Sequence, residues 1–152
     1  MKRQTYAHNT EVPVDRSKSE IEHILTRYGA TGFGYMTKGN QAAIMFLAHG
    51  KQLRFILPLP TPEDVSRTST GRARKGHAAA EQLNRENRRR WRALVLDIKA
   101  RLEAVETGIT IFEQEFLPHI VLPNGQTVAE AVLPGIENAY KTGKVVALLP
   151  GW

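Results

Sequence analysis

The residues best equipped for chemistry in this sequence are arginines. Arg85, Arg88, Arg89 and Arg92, followed by Lys99, lie in a stretch whose apolar residues recur at helical spacing. Residues three, four and seven apart share a helix face, so Arg85, Arg92 and Lys99 continue one stripe. Like charges placed this way repel by roughly 0.3 kcal/mol per pair. Something must offset that cost. Phosphate oxygens can, because a guanidinium fork meets them bidentately. Carboxylates from elsewhere in the chain can too, and both readings stand open at this level.

Just upstream, Arg67, Arg72, Arg74 and Lys75 are interleaved with serine, threonine and glycine between Ser66 and Gly76. A segment of this kind can follow a phosphate backbone and order on contact. It is not a phosphate-binding P-loop, because it lacks the GxxxxGK[ST] pattern and no strand leads directly into it. Arg54 in a candidate strand, and Lys51 just before it, extend a basic surface on the solvated side. Phe33, Tyr35, Phe46 and Phe55 are of the type that stacks on bases. A small sheet needs such residues for its core, and core packing is the expectation for them and for Trp91.

Catalytic patterns are missing. His8, His23, His49, His77 and His119 are scattered, and none forms HExxH or another short metal spacing. Glu115 and His119 are four apart and read as a surface carboxylate–imidazole pair. Asp97 and Arg101 read as an i,i+4 ion pair. There is no GxSxG and no dinucleotide-binding fingerprint. No catalytic residue, metal ligand or cofactor is expected.

The distribution of charge sharpens the basic reading. The chain has 152 residues and a formal net charge of +6. Residues 61–92 alone carry a net +5, residues 1–60 a net +4 and residues 93–152 a net −3. A segregated basic stretch is the electrostatic footprint of a polyanion binder. At 41% hydrophobic and 24% charged residues, the chain can build a core and is not of disordered composition. The complete lack of cysteine excludes disulfides, thiolate metal sites and cysteine nucleophiles. No apolar run reaches the ~18 residues of a membrane span. The polar stretch Met1 to Thr10 has no signal-peptide core. A cytoplasmic location, with no membrane partner, is the expectation.

These residues need a scaffold, and the pattern predicts a single α+β domain. Residues 1–14 read as an extended arm. A short amphipathic helix is expected over 18–28, opened by a capping box at Ser17–Glu20 and closed by Gly29. Three strands follow: Gly32–Lys38, Gln41–Ala48 and Gln52–Pro58. Gly39-Asn40 and His49-Gly50 suit two-residue hairpin turns, giving an antiparallel meander. Residues 61–82 read as a mobile basic loop. A long helix is expected over Ala80–Thr107, with the seam Trp91, Leu94, Val95, Ile98, Leu102 and Val105. Capping boxes at Thr110–Glu113 and Thr127–Glu130 predict a short helix broken at Pro118 and a last helix kinked at Pro134 and ended by Gly143. The apolar tail over 144–152 is expected to pack on a helix or on a second subunit.

Several runs are similar to a family of small phage and prophage proteins. They are Glu11–Ser17 with Ile21–Ala30, Leu53–Pro60, Arg90–Glu106 and Phe112–Gly125. The resemblance implies a viral or prophage setting, hence a host cytoplasm, and brings no residue roles with it. The order of three antiparallel strands and a long helix also resembles the core of single-strand annealing proteins, which bind DNA in a basic groove and assemble into rings. The expected function is nucleic-acid binding, on single-stranded DNA in replication or recombination. Its expected contacts are Arg67, Arg72, Arg74, Lys75, Arg85, Arg88, Arg89, Arg92 and Lys99, with Lys51 and Arg54. The alternative is an oligomeric interaction protein whose basic face meets an acidic partner.

Overall fold

The computed structural model describes residues 10–145, 147 and 148. Most of the expected arm, and residues 146 and 149–152 of the apolar tail, lie outside the described residues. The architecture is α+β. Helix α1 (Val14–Arg27) leads into strands β1 (Thr31–Lys38), β2 (Gln41–Ala48) and β3 (Lys51–Pro58). The long helix α2 (Gly76–Glu106), the short α3 (Phe112–Glu115) and α4 (Val128–Thr142) complete the chain.

The helix α1 starts four residues earlier than the Ser17 box predicts. Pro13 is extended and caps it, and the Ser17 N–H already donates to the Pro13 carbonyl at 3.1 Å. Ser17 therefore sits within the helix, and its hydroxyl is buried without a hydrogen-bond partner. Ile21 and Leu25 share its face and are fully buried. Spacings of four place all three on one side of the helix.

The sheet is an antiparallel meander in the order β1-β2-β3. His49 and Gly50 both take positive φ, 52° and 72°, as a two-residue hairpin turn requires. Alternation sends Ala42, Ile44, Phe46, Leu53 and Phe55 to one face, where they meet Trp91, Leu94, Val95, Ile98 and Leu102 of α2. Tyr35 lies 6.4 Å from Trp91 between ring centroids, and its hydroxyl donates to the Lys18 carbonyl. The four sheet aromatics thus belong to the core or its margin, as expected. A bulge interrupts β1 between Thr31 and Gly34. It depends on Gly32, whose φ is +64° and whose missing Cβ would stand 3.1 Å from Leu47.

The seam of α2 is the expected one, with five residues buried from Trp91 to Leu102. The helix begins at Gly76 rather than Ala80, so it absorbs part of the anticipated loop. What remains of that loop is ordered by its own bonds. A 3-10 turn spans Glu63–Val65, and Arg67 pairs with Ala73 in an isolated bridge.

The other two capping boxes have opposite fates. At α3 the cap is Ile111, with no side-chain bond, because the Thr110 N–H is still occupied closing α2 on the Ala104 carbonyl. At α4 the box forms fully: Thr127 Oγ1 accepts from the Glu130 N–H, and Glu130 Oε2 accepts from the Thr127 N–H at 2.7 Å. Helix α4 runs through Pro134 and ends at Gly143 in the left-handed region. Leu148 of the tail lies over Gly135 of this helix, whereas Val145 is exposed.

Candidate nucleic-acid interface

The expected cations divide into three groups. Arg92 and Lys99 are neutralised inside the domain. Both bind Glu20 of α1, one on each carboxylate oxygen. Those bonds hold the Glu20 carboxyl below its usual range, Lys99 contributing most. Arg101 further down is held likewise, by both oxygens of Asp97 at 3.1 Å and by the Glu115 carbonyl. The Asp97–Arg101 pair is as the sequence predicts. The Glu115–His119 pair is not formed: Glu115 faces Arg101, and His119 stacks on Phe55 at 3.8 Å. Burial, with Arg101 nearby, pushes the His119 imidazole below its ordinary pKa.

Lys51 and Arg54 form the second group, on the sheet and away from α2. Lys51 donates to the His49 carbonyl and lies 3.9 Å from Glu113. Arg54 reaches the Gly125 carbonyl at 3.1 Å and Glu130 at 2.9 Å. These two cations meet carboxylates of the acidic last third, so the structure does not join them to the others.

The third group gathers at the N-terminal half of α2. A cleft of about 470 Å³ lies between the 64–74 segment and α2, with Arg67, Arg74, Arg89 and Arg90 in its walls. The segment is shaped by its own backbone. The Arg74 N–H donates to the Ser66 carbonyl, and the Thr68 N–H to the Arg72 carbonyl. The Arg74 guanidinium then closes the turn on the Val65 and Arg67 carbonyls at 2.8 and 2.6 Å. Arg67 donates to the Gly71 carbonyl. From the helix side, Glu86 anchors Arg89 and Arg90, one turn further along. Asp64 lies 3.9 Å from Arg90, and the Thr61 N–H holds the Asp64 carboxyl below its usual range. With two carboxylates against four guanidiniums, the cleft keeps a net positive charge.

Outside the cleft lining, Arg72, Lys75, Arg85 and Arg88 make no side-chain hydrogen bond or ion pair among the described residues. By helical spacing Arg85 and Arg88 continue the stripe of Arg92 and Lys99 beyond the reach of Glu20. The carboxylate reading of the stripe therefore holds for its second half, while Arg85 and Arg88 have no carboxylate partner among the described residues.

Arg90 escaped the sequence reasoning. It lies off the stripe that drew attention to its neighbours, and the unbroken Arg88-Arg89-Arg90 run was its only signal. The reciprocal bonds of Thr61 and Asp64 were readable as a T-x-x-D pattern. Among the described residues no His/Asp/Glu cluster could hold a metal ion, and no helix is long and apolar enough to cross a membrane. Comparison with protein-family models, curated proteins and solved structures found no match.

Proposed function

We propose that this chain binds nucleic acid through the N-terminal half of α2 and the 64–74 segment. The observation that carries the reading is the break in charge pairing along α2. From Arg92 onward the cations of this helix have carboxylate partners, whereas Arg72, Lys75, Arg85 and Arg88 have none among the described residues, and a separate cleft holds four more arginines. Surface cations left this way are disposed to neutralise phosphates. A phage or prophage setting, and a role on single strands in recombination, are part of the proposal and rest on the sequence resemblances alone. The test is binding of a labelled oligonucleotide at several salt concentrations. The log–log slope should be steep, and Arg72→Ala/Arg85→Ala/Arg88→Ala should flatten it by about two units, at ~0.7 per phosphate on a single strand. A flat response in the unaltered protein removes the reading.

A second reading has its own observation. The outer face of the sheet exposes Met36, Leu47 and Ile56 at 51%, 49% and 41%, with Met36 and Ile56 in one cross-strand row through Ala43. Helix α4 adds Leu133 and Tyr140. Contiguous exposed apolar surface is characteristic of protein interfaces. Light scattering over a concentration series tests for self-association.

A further inference from the structure

A second pocket is lined by residues next in sequence to those of the arginine cleft. It measures about 320 Å³ and lies between the 59–62 segment and the adjoining face of α2. Leu59, Pro60, Pro62 and Leu83 make its apolar sides, and Asn84 and Asn87 bring amides to it. Asn87 Oδ1 is an acceptor without a donor. Such an atom leaves an unmade hydrogen bond that a ligand can supply. The pocket is held open by backbone bonds: the Leu59 N–H donates to the Asn40 carbonyl at 2.7 Å.

Arg90 of the cleft wall also reaches the end of β3. Its Nη1 donates to the Pro58 carbonyl at 2.9 Å, next to Leu59, while its other side faces Asp64 and Glu86 in the cleft. The same stretch of chain lines the pocket first and the cleft next. On α2, the pocket uses Leu83 and Asn87, and the cleft uses their neighbours Gln82 and Glu86. An apolar slot with amides thus adjoins a guanidinium cluster. That pairing matches the two halves of a nucleotide, a flat base with polar edges and a phosphate.

Resting on the nucleic-acid reading above, we infer that the pocket takes one unstacked base of a single strand while the cleft holds its phosphate. The amide chemistry calls for a base edge that can donate to Asn87 Oδ1. An asparagine amide pairs with any base edge that sets an N–H donor beside an acceptor, as adenine does with its amino group and ring nitrogen and thymine with N3–H and O4. A paired, stacked base cannot enter the pocket, so single strands bind in preference to duplex.

The experiment compares four probes by fluorescence anisotropy at one salt concentration: a labelled dA 12-mer, a dT 12-mer, a 12-mer of abasic sites and free dAMP as competitor. The dA strand should bind about tenfold more tightly than the abasic one, the scale of one held base. Asn84→Ala/Asn87→Ala should erase that difference and leave abasic binding unchanged. Alanine favours the helix, and a thermal melt checks that the fold persists. Equal binding of dA and abasic strands by the unaltered protein overturns the base pocket while leaving phosphate binding standing. Binding of no strand overturns both readings. A dT strand that binds no more tightly than the abasic one overturns the amide contact, because thymine N3–H can satisfy the same acceptor. Displacement by dAMP at the concentration that the unlabelled strand needs overturns the assignment to a strand.

Discussion

Glu20 of α1 holds Arg92 of α2 through Oε2 at 2.5 Å, and its other oxygen holds Lys99. The pairing clamps the two helices across their shared seam, and its acid dependence has a definite sign. The folded-state pKa of Glu20 is depressed, so its contribution is present above the unfolded value of about 4.3 and is lost as pH falls through the folded one. Glu20→Gln should cost about 1 kcal/mol at neutral pH, since all three partners are partly solvated. That is a drop of about 2–4 °C in Tm. The gap to the unaltered protein should close in melts near pH 3. A gap of the same size at both pH values would show that the charge is not the source.

Thr127→Ala removes the hydroxyl half of the one box that forms, and about 1 kcal/mol of stability should go with it. Thr110→Ala removes the same group from a box that does not form, and should fall within about 0.5 kcal/mol of the unaltered protein. Urea denaturation of the two variants side by side measures the contrast.

Arg74 holds the 64–74 turn through two carbonyls. Arg74→Ala should speed trypsin cleavage after Arg67 and Arg72 at least severalfold while moving the global melt little, because the turn opens locally. Arg74→Lys should restore little of the protection, since a point ammonium lacks the planar fork. Mass spectrometry of early digests reports the sites.

His119 is stacked on Phe55 with its pKa depressed by burial. The unfolded chain therefore takes up a proton first, and stability declines as pH falls below about 6.5, levelling off below the folded value. His119→Phe keeps the ring stack and removes this proton. Denaturation midpoints between pH 7 and 5 should slope less in the variant. An identical slope would mean that another group sets it.

Strands, turns and the α2 seam were legible because each rests on local signals: alternation, a two-residue turn, an apolar stripe. The capping boxes show where local signals fail. Three sequences carry the pattern, but only Thr127 stands at a helix start. Ser17 lies a turn inside a helix that Pro13 opens, and Thr110 is still engaged with the end of α2. The basic stripe was equally visible, yet its division was not. Glu20 lies 72 residues from Arg92 in sequence, and only the packing of α1 on α2 brings them together. The pocket of Asn84 and Asn87 left no sequence signal, because the chain that faces them is a proline-rich segment following β3.

Helix α2 has 31 residues, so as a straight rod it spans about 46 Å. Its first buried residue is Trp91, midway along. Mechanically the helix is a lever with its fulcrum in the core. Force on residues 82–90 acts on that arm and is transmitted as torque to the Trp91 seam and the Glu20 clamp. A load on that arm is thereby resisted by the buried seam of the helix rather than by a loop.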